Sequence, residues 1–140
     1  MEKIVYVGLF LTPASREKLL ATFPPAFARV HADHLTLKFK PSERDLASYK
    51  PAIGHMYTLF VIAHHTDVKG QAVEIAAGTV PLCDNVYPHI TISTNEGVSP
   101  VYSNDLIRSI YSGLRDMPPS ESILRLEAVL DTFPRSMKEQ

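Results

Sequence analysis

At 140 residues the chain has room for one compact domain with a real core, and the single domain is expected to span 1–140. An apolar fraction of 45% against 21% charged residues excludes a chain dominated by disorder. A formal net charge of −1 excludes the broad basic surface with which proteins grip long nucleic acids, so a nucleic-acid substrate would be short or held at an end.

The chain starts with an apolar run, Ile4-Val5-Tyr6-Val7-Gly8-Leu9-Phe10-Leu11, too short for a membrane span or secretory signal and rich in β-formers. It reads as a first strand in a cytoplasmic protein. Thr12 can cap and Pro13 can open a helix through Leu20, which Phe23-Pro24-Pro25 stops. His34-Leu35-Thr36-Leu37-Lys38-Phe39 then alternates strictly, as a half-buried strand does.

Residues 41–51 carry charge and turn formers with little apolar periodicity and read as a loop with at most one helical turn, the best candidate for a mobile surface connection. Tyr57 to Ala63, a turn at Asp67-Val68-Lys69-Gly70, and Ala72 to Ile75 read as a hairpin. Cys83, the single cysteine, can neither close an internal disulfide nor build a multi-cysteine zinc site, which fits a reducing compartment. Pro88 opens a second alternating strand, His89-Ile90-Thr91-Ile92-Ser93. Ser103 is a plausible N-cap for a helix over roughly 104–114, and residues 123–130 close the chain as a last strand. The recurring order of strand, helix and strand bearing His-x-Thr predicts an α+β domain of two similar lobes.

Residues two apart on a strand share a face, so His34, Thr36 and Lys38 project together, as do His89, Thr91 and Ser93, while Leu35, Leu37, Ile90 and Ile92 point to the core. If both polar stripes face one cleft, two imidazoles flank a bound group. One can take a proton from an attacking oxygen while the other supplies one to the leaving oxygen. Threonine hydroxyls beside them can hold the non-bridging oxygens of a phosphate.

These two segments, His34-Leu35-Thr36-Leu37 and His89-Ile90-Thr91-Ile92, resemble the paired His-x-Thr/Ser signature of the two-histidine (2H) phosphoesterases. The resemblance extends loosely over nearly the whole chain and is closest to the cyclic phosphodiesterase branches linked to RNA end repair and tRNA ligation. It implies a two-lobed, pseudo-symmetric fold of antiparallel sheets with outer helices and a central cleft. It also implies metal-independent hydrolysis or transesterification of RNA ends or 2′,3′-cyclic nucleotide phosphates, with no cofactor. His34 and His89 become the catalytic acid and base, in an order the family does not fix, and Thr36 and Thr91 the phosphate-holding hydroxyls. The short spacing between the motifs implies a trimmed first lobe and a more open cleft.

Lys38, on the same face as the first motif, is a further candidate for phosphate contact. Tyr6, Tyr87 and above all Tyr102 are candidates for stacking on a base. A third match, His64-His65-Thr66, has a polar middle residue and runs into a turn, so it is expected to be a decoy. A metal is not expected, because His31 and His34 are three apart and His64 and His65 adjacent, so neither pair shares a strand face. The expected partner is a nucleotide or RNA-end substrate, with RNA-repair proteins beside it; a monomer without membrane contact is expected. Two alternatives stay open: hydrolysis of cyclic oligonucleotide signals, and a non-catalytic nucleotide or RNA-end binding module.

Overall fold

A computed structural model describes residues 3–81, 83–84, 87–110 and 123–135. Seven strands form one continuous antiparallel sheet: β1 (Tyr6–Leu11), β2 (Arg29–Val30), β3 (His34–Phe39), β4 (Met56–Thr66), β5 (Gly70–Ile75), β6 (His89–Thr94) and β7 (Leu124–Phe133). Their order is β2-β6-β3-β1-β7-β4-β5, and β5 pairs back onto β6, so six of them close into a barrel. Closure removes the exposed edges that an open sheet would leave. The fold class is α+β, but the sheets pictured as two are joined into one.

The alternation that marks each strand sorts its residues between barrel interior and exterior. Val7 and Leu9, Leu35 and Leu37, Leu59 and Val61, Val73 and Ile75, Ile90 and Ile92, and Leu126, Ala128 and Leu130 fill the core. Leu19 and Tyr49, each on a helix, join that core, and a further helix, which carries the buried Leu106 and Ile107, lies against β4 and β5. In α1 (Pro13–Thr22), Thr12 Oγ1 accepts from the Ser15 amide at 3.2 Å and Pro13 fits the first turn; Ser15 Oγ accepts from the Glu127 amide of β7 at 2.7 Å.

The 41–51 segment is more ordered than its composition suggests. Ser42 and Asp45 make a reciprocal capping box, at 2.9 and 3.1 Å, that starts α2 (Glu43–Tyr49), and a 3-10 turn at Lys50–Ala52 follows. The third helix, α3 (Tyr102–Ile110), starts two residues earlier than the periodicity gives, because Ser99 opens the turn: its carbonyl accepts from Tyr102 N at 3.0 Å. The predicted continuation over 111–114 lies outside the described residues. Likewise β4 runs to Thr66, so the decoy His64-His65-Thr66 is strand rather than the edge of a turn. The Asp67 carboxylate makes that turn, accepting from the amides of Lys69 and Gly70 at 2.8 and 3.1 Å. No helix among the described residues is long and apolar enough to cross a membrane.

One seam of the barrel differs from the rest. The β1–β3, β1–β7, β4–β7 and β5–β6 ladders each run over five or six residue pairs, whereas β3 and β6 meet in register only at Leu35 and Ile90. Upstream, Ala32 adopts φ 53, which kinks the chain between β2 and β3, and both short pieces lie along β6. The two strands bearing the His-x-Thr motifs are therefore neighbours that splay apart.

Candidate active site

Over that seam lies a cleft of about 740 Å³, and His34, Thr36, His89 and Thr91 all line it. With Leu35 facing Ile90, the antiparallel sense sets His34 on the Thr91 side and Thr36 on the His89 side. The two motifs are thus related by a local two-fold across the seam. His31, Asp33, Asp84, Tyr87 and Asn104 complete the polar rim, with Phe39 and Val101 as exposed apolar surface at its mouth.

His34 owes its setting to β1. Gly8 lies between Tyr6 and Phe10 on the outer face; a Cβ there would stand 2.9 Å from the Leu35 carbonyl and 3.3 Å from the Tyr6 ring. Because that side chain is missing, the Tyr6 ring lies over Gly8 and stacks on the His34 imidazole, with centroids 4.6 Å apart and planes at 18°. Phe133 stacks on Tyr6 at 5.2 Å, and Phe10, 5.6 Å from His34, is covered by the Arg135 guanidinium. Arg135 is itself bonded to the buried Asp131 at 3.3 Å. Burial among these rings holds the His34 pKa down to about 4, opposed by Asp33 and reinforced by His89 and His31. Burial likewise pushes the Tyr6 hydroxyl up to about 12, with Asp33 adding to the rise and Arg135 opposing it.

His89 is held differently. Its Nδ1 donates to the Tyr87 carbonyl at 2.8 Å, which fixes the ring and leaves Nε2 as the nitrogen that exchanges a proton. Burial lowers its pKa, while the Tyr87 carbonyl and Glu74 push it back up and His65 adds to the fall. His31 also belongs to this rim: its Nε2 lies 3.0 Å from Thr94 Oγ1, and burial lowers its pKa against the pull of Asp33.

The two threonines are not equivalent. Thr36 lines the cleft, and its side-chain hydroxyl has no protein partner among the described residues. Thr91 Oγ1 donates to the Pro100 carbonyl at 3.3 Å and lies 2.8 Å from Ser103 Oγ, so it ties β6 to the start of α3. Ser103, expected as a helix cap, instead turns its hydroxyl to Thr91.

Lys38 stands beside the cleft rather than in it, with Nζ 3.5 Å from the carboxylate of Asp84, which does line the cleft. Tyr102 is turned away: its hydroxyl donates to Asp67 in the β4–β5 turn, and Lys69 lies over its ring at 5.4 Å. Tyr6 stacks on a histidine where stacking on a base was pictured, and Tyr87 lines the cleft. The decoy histidines both serve β4 and its neighbours. His64 stacks on Phe23 at 4.5 Å and meets Gln71 at 3.0 Å, while His65 makes a buried pair with Glu74 at 3.1 Å. Among the described residues no group of three or more His, Cys, Asp or Glu side chains is placed to hold a metal ion.

Asp33, the Tyr87 carbonyl and Glu74 also bear on the two histidines, and no motif marks them in the sequence. Only Glu74 left a signal, as a lone acid inside the apolar run Ala72-Val73-Glu74-Ile75. No family model matches the chain, and no curated protein matches it.

Proposed function

We propose that this protein is a metal-independent phosphodiesterase that acts on RNA ends or 2′,3′-cyclic nucleotide phosphates, with His34 and His89 as its acid-base pair. The observation that carries the reading is the convergence of both His-x-Thr motifs, from segments far apart in sequence, on one cleft. A cleft of about 740 Å³ is of the size that small-molecule ligands occupy.

In this reading His34, unprotonated above its pKa of about 4, is the general base. It takes a proton from water, whose oxygen attacks phosphorus. His89, its Nδ1 anchored on a carbonyl, donates the Nε2 proton to the departing ribose oxygen, which opens the cyclic phosphate to a monoester. Thr36 donates to a non-bridging oxygen as charge develops there. The pseudo-symmetric, two-lobed arrangement of the 2H phosphoesterases belongs to the same reading, and the single-pair seam between β3 and β6 supports it.

The test is turnover of nucleoside 2′,3′-cyclic phosphates, short RNAs with cyclic ends and cyclic oligonucleotides in EDTA. Hydrolysis of the first two supports the proposal. Hydrolysis of cyclic oligonucleotides alone would redirect it to signal degradation, and binding without turnover would replace the enzyme with a binding module.

A further inference from the structure

The strongest unassigned feature is a buried acid-histidine pair behind the second motif. Glu74 is 3% exposed and His65 5% exposed, with Nε2 and Oε1 3.1 Å apart. Glu74 is the register partner of His89 across β5–β6, and the Ile75 amide locks that register by donating to the Pro88 carbonyl at 2.8 Å. Register partners project to the same face of an antiparallel pair, so Glu74 and His89 share the outer face. A carboxylate out of water is costly unless cations or donors surround it. Here two imidazoles do so, one bonded to it and one abreast of it.

We propose that Glu74, held by His65, is a positioning residue for His89: its carboxylate steadies the imidazolium form of that ring, and His65 limits the effect by competing for the same carboxylate. The inference rests on the reading of His89 as the proton donor. The other groups around His89 are His34 from β3 and the Tyr87 carbonyl before β6, with Asp33 and Asp84 on the cleft rim and Asn104 from α3. Asp105 on α3 is exposed. Of these surroundings, only Glu74 pairs with His89 in a strand ladder and is itself buried. The opposite influences of Glu74 and His65 on His89 agree with this geometry.

Two substitutions move the same reporter in opposite directions. In Glu74→Gln the imidazolium loses its carboxylate and the His89 titration midpoint falls; in His65→Gln the carboxylate is left to His89 alone and the midpoint rises. Glu74→Asp, which keeps the charge, stays nearer to wild type than Glu74→Gln. The measurement is a proton NMR titration of the His89 ring in the full chain, assigned with His89→Ala, with His34 as internal reference for an intact site.

A purely structural pair would change stability and leave the midpoint in place. An unmoved midpoint in both variants, or movement in the same direction in both, overturns the proposal. If Glu74→Gln fails to fold, a midpoint in His65→Gln that does not rise overturns it alone. The descending limb of any pH-rate profile shifts with the midpoint. Absence of turnover on every phosphodiester would defeat the proposed function and leave the titration standing; turnover with a static titration would defeat only the role of Glu74.

Discussion

The two halves of the cleft carry the same tripeptide pattern in unlike surroundings. His34 is walled by aromatic rings from β1, and the threonine two residues on has no side-chain partner among the described residues; His89 is anchored on a carbonyl and backed by a buried acid, with its threonine bound to α3. A strand supplies the shared face, but its neighbours decide the proton affinity. A symmetric motif thus acquires two unlike settings through contacts distant in sequence, and in the proposed reaction these suit one ring to accept a proton and the other to give one.

The comparison breaks most sharply at the histidines. His34→Ala and His89→Ala are each expected to lower kcat by about 10²–10⁴-fold, read as turnover of a 2′,3′-cyclic nucleotide. The asymmetry then shows in pH. Activity is expected to rise as His34 deprotonates through about 4 and to fall as His89 deprotonates below its ordinary 6.5, so the kcat/KM optimum, which reports the free enzyme, lies on the acid side of neutrality. An optimum well above 6.5 would exclude this division of labour.

Gly8→Ala attacks the His34 half alone. Its Cβ meets the backbone of Leu35, so the expected cost is about 1–3 kcal/mol in urea unfolding, with a disturbed Tyr6–His34 stack. The threonines separate the halves more finely. Thr36→Ala is expected to lower turnover roughly 10–100-fold with little change in stability, whereas Thr91→Ala loses about 1 kcal/mol of stability by freeing α3 from β6.

Stability should also follow His34. Its folded pKa lies below the ordinary value, so the unfolded chain binds more protons in between, and stability drops as pH falls from 6.5 towards about 4. His34→Gln flattens that slope in urea titrations at several pH values. The smallest effect belongs to Lys38→Met: its ion pair with Asp84 is solvent-facing, and the loss is about 0–1 kcal/mol.

Much of this was legible in the chain because alternation reports which residues share a face. It located β3 and β6 and put the histidine and threonine of each motif on one face, while β-forming content located β1 and the hairpin. What alternation cannot report is which strand lies beside which. The pairing of β3 with β6, and the closure of β5 onto β6 that sets Glu74 abreast of His89, depend on contacts between distant segments. The capping box of α2 was readable as Ser42 and Asp45, but a box closed by Asp, rather than the usual Glu or Gln, is a weaker signal. Tyr102 and Ser103 were misplaced for a related reason, since their partners Asp67 and Thr91 are tertiary.

Whether both histidines act on one phosphate is read from the kinetics of His34→Ala, His89→Ala and the double variant, with a nucleoside 2′,3′-cyclic phosphate in EDTA. Groups that act as a unit are non-additive. The double variant is expected to lose little more than either single one; losses that multiply, or a single variant that keeps wild-type turnover, would contradict a joint action of the two rings.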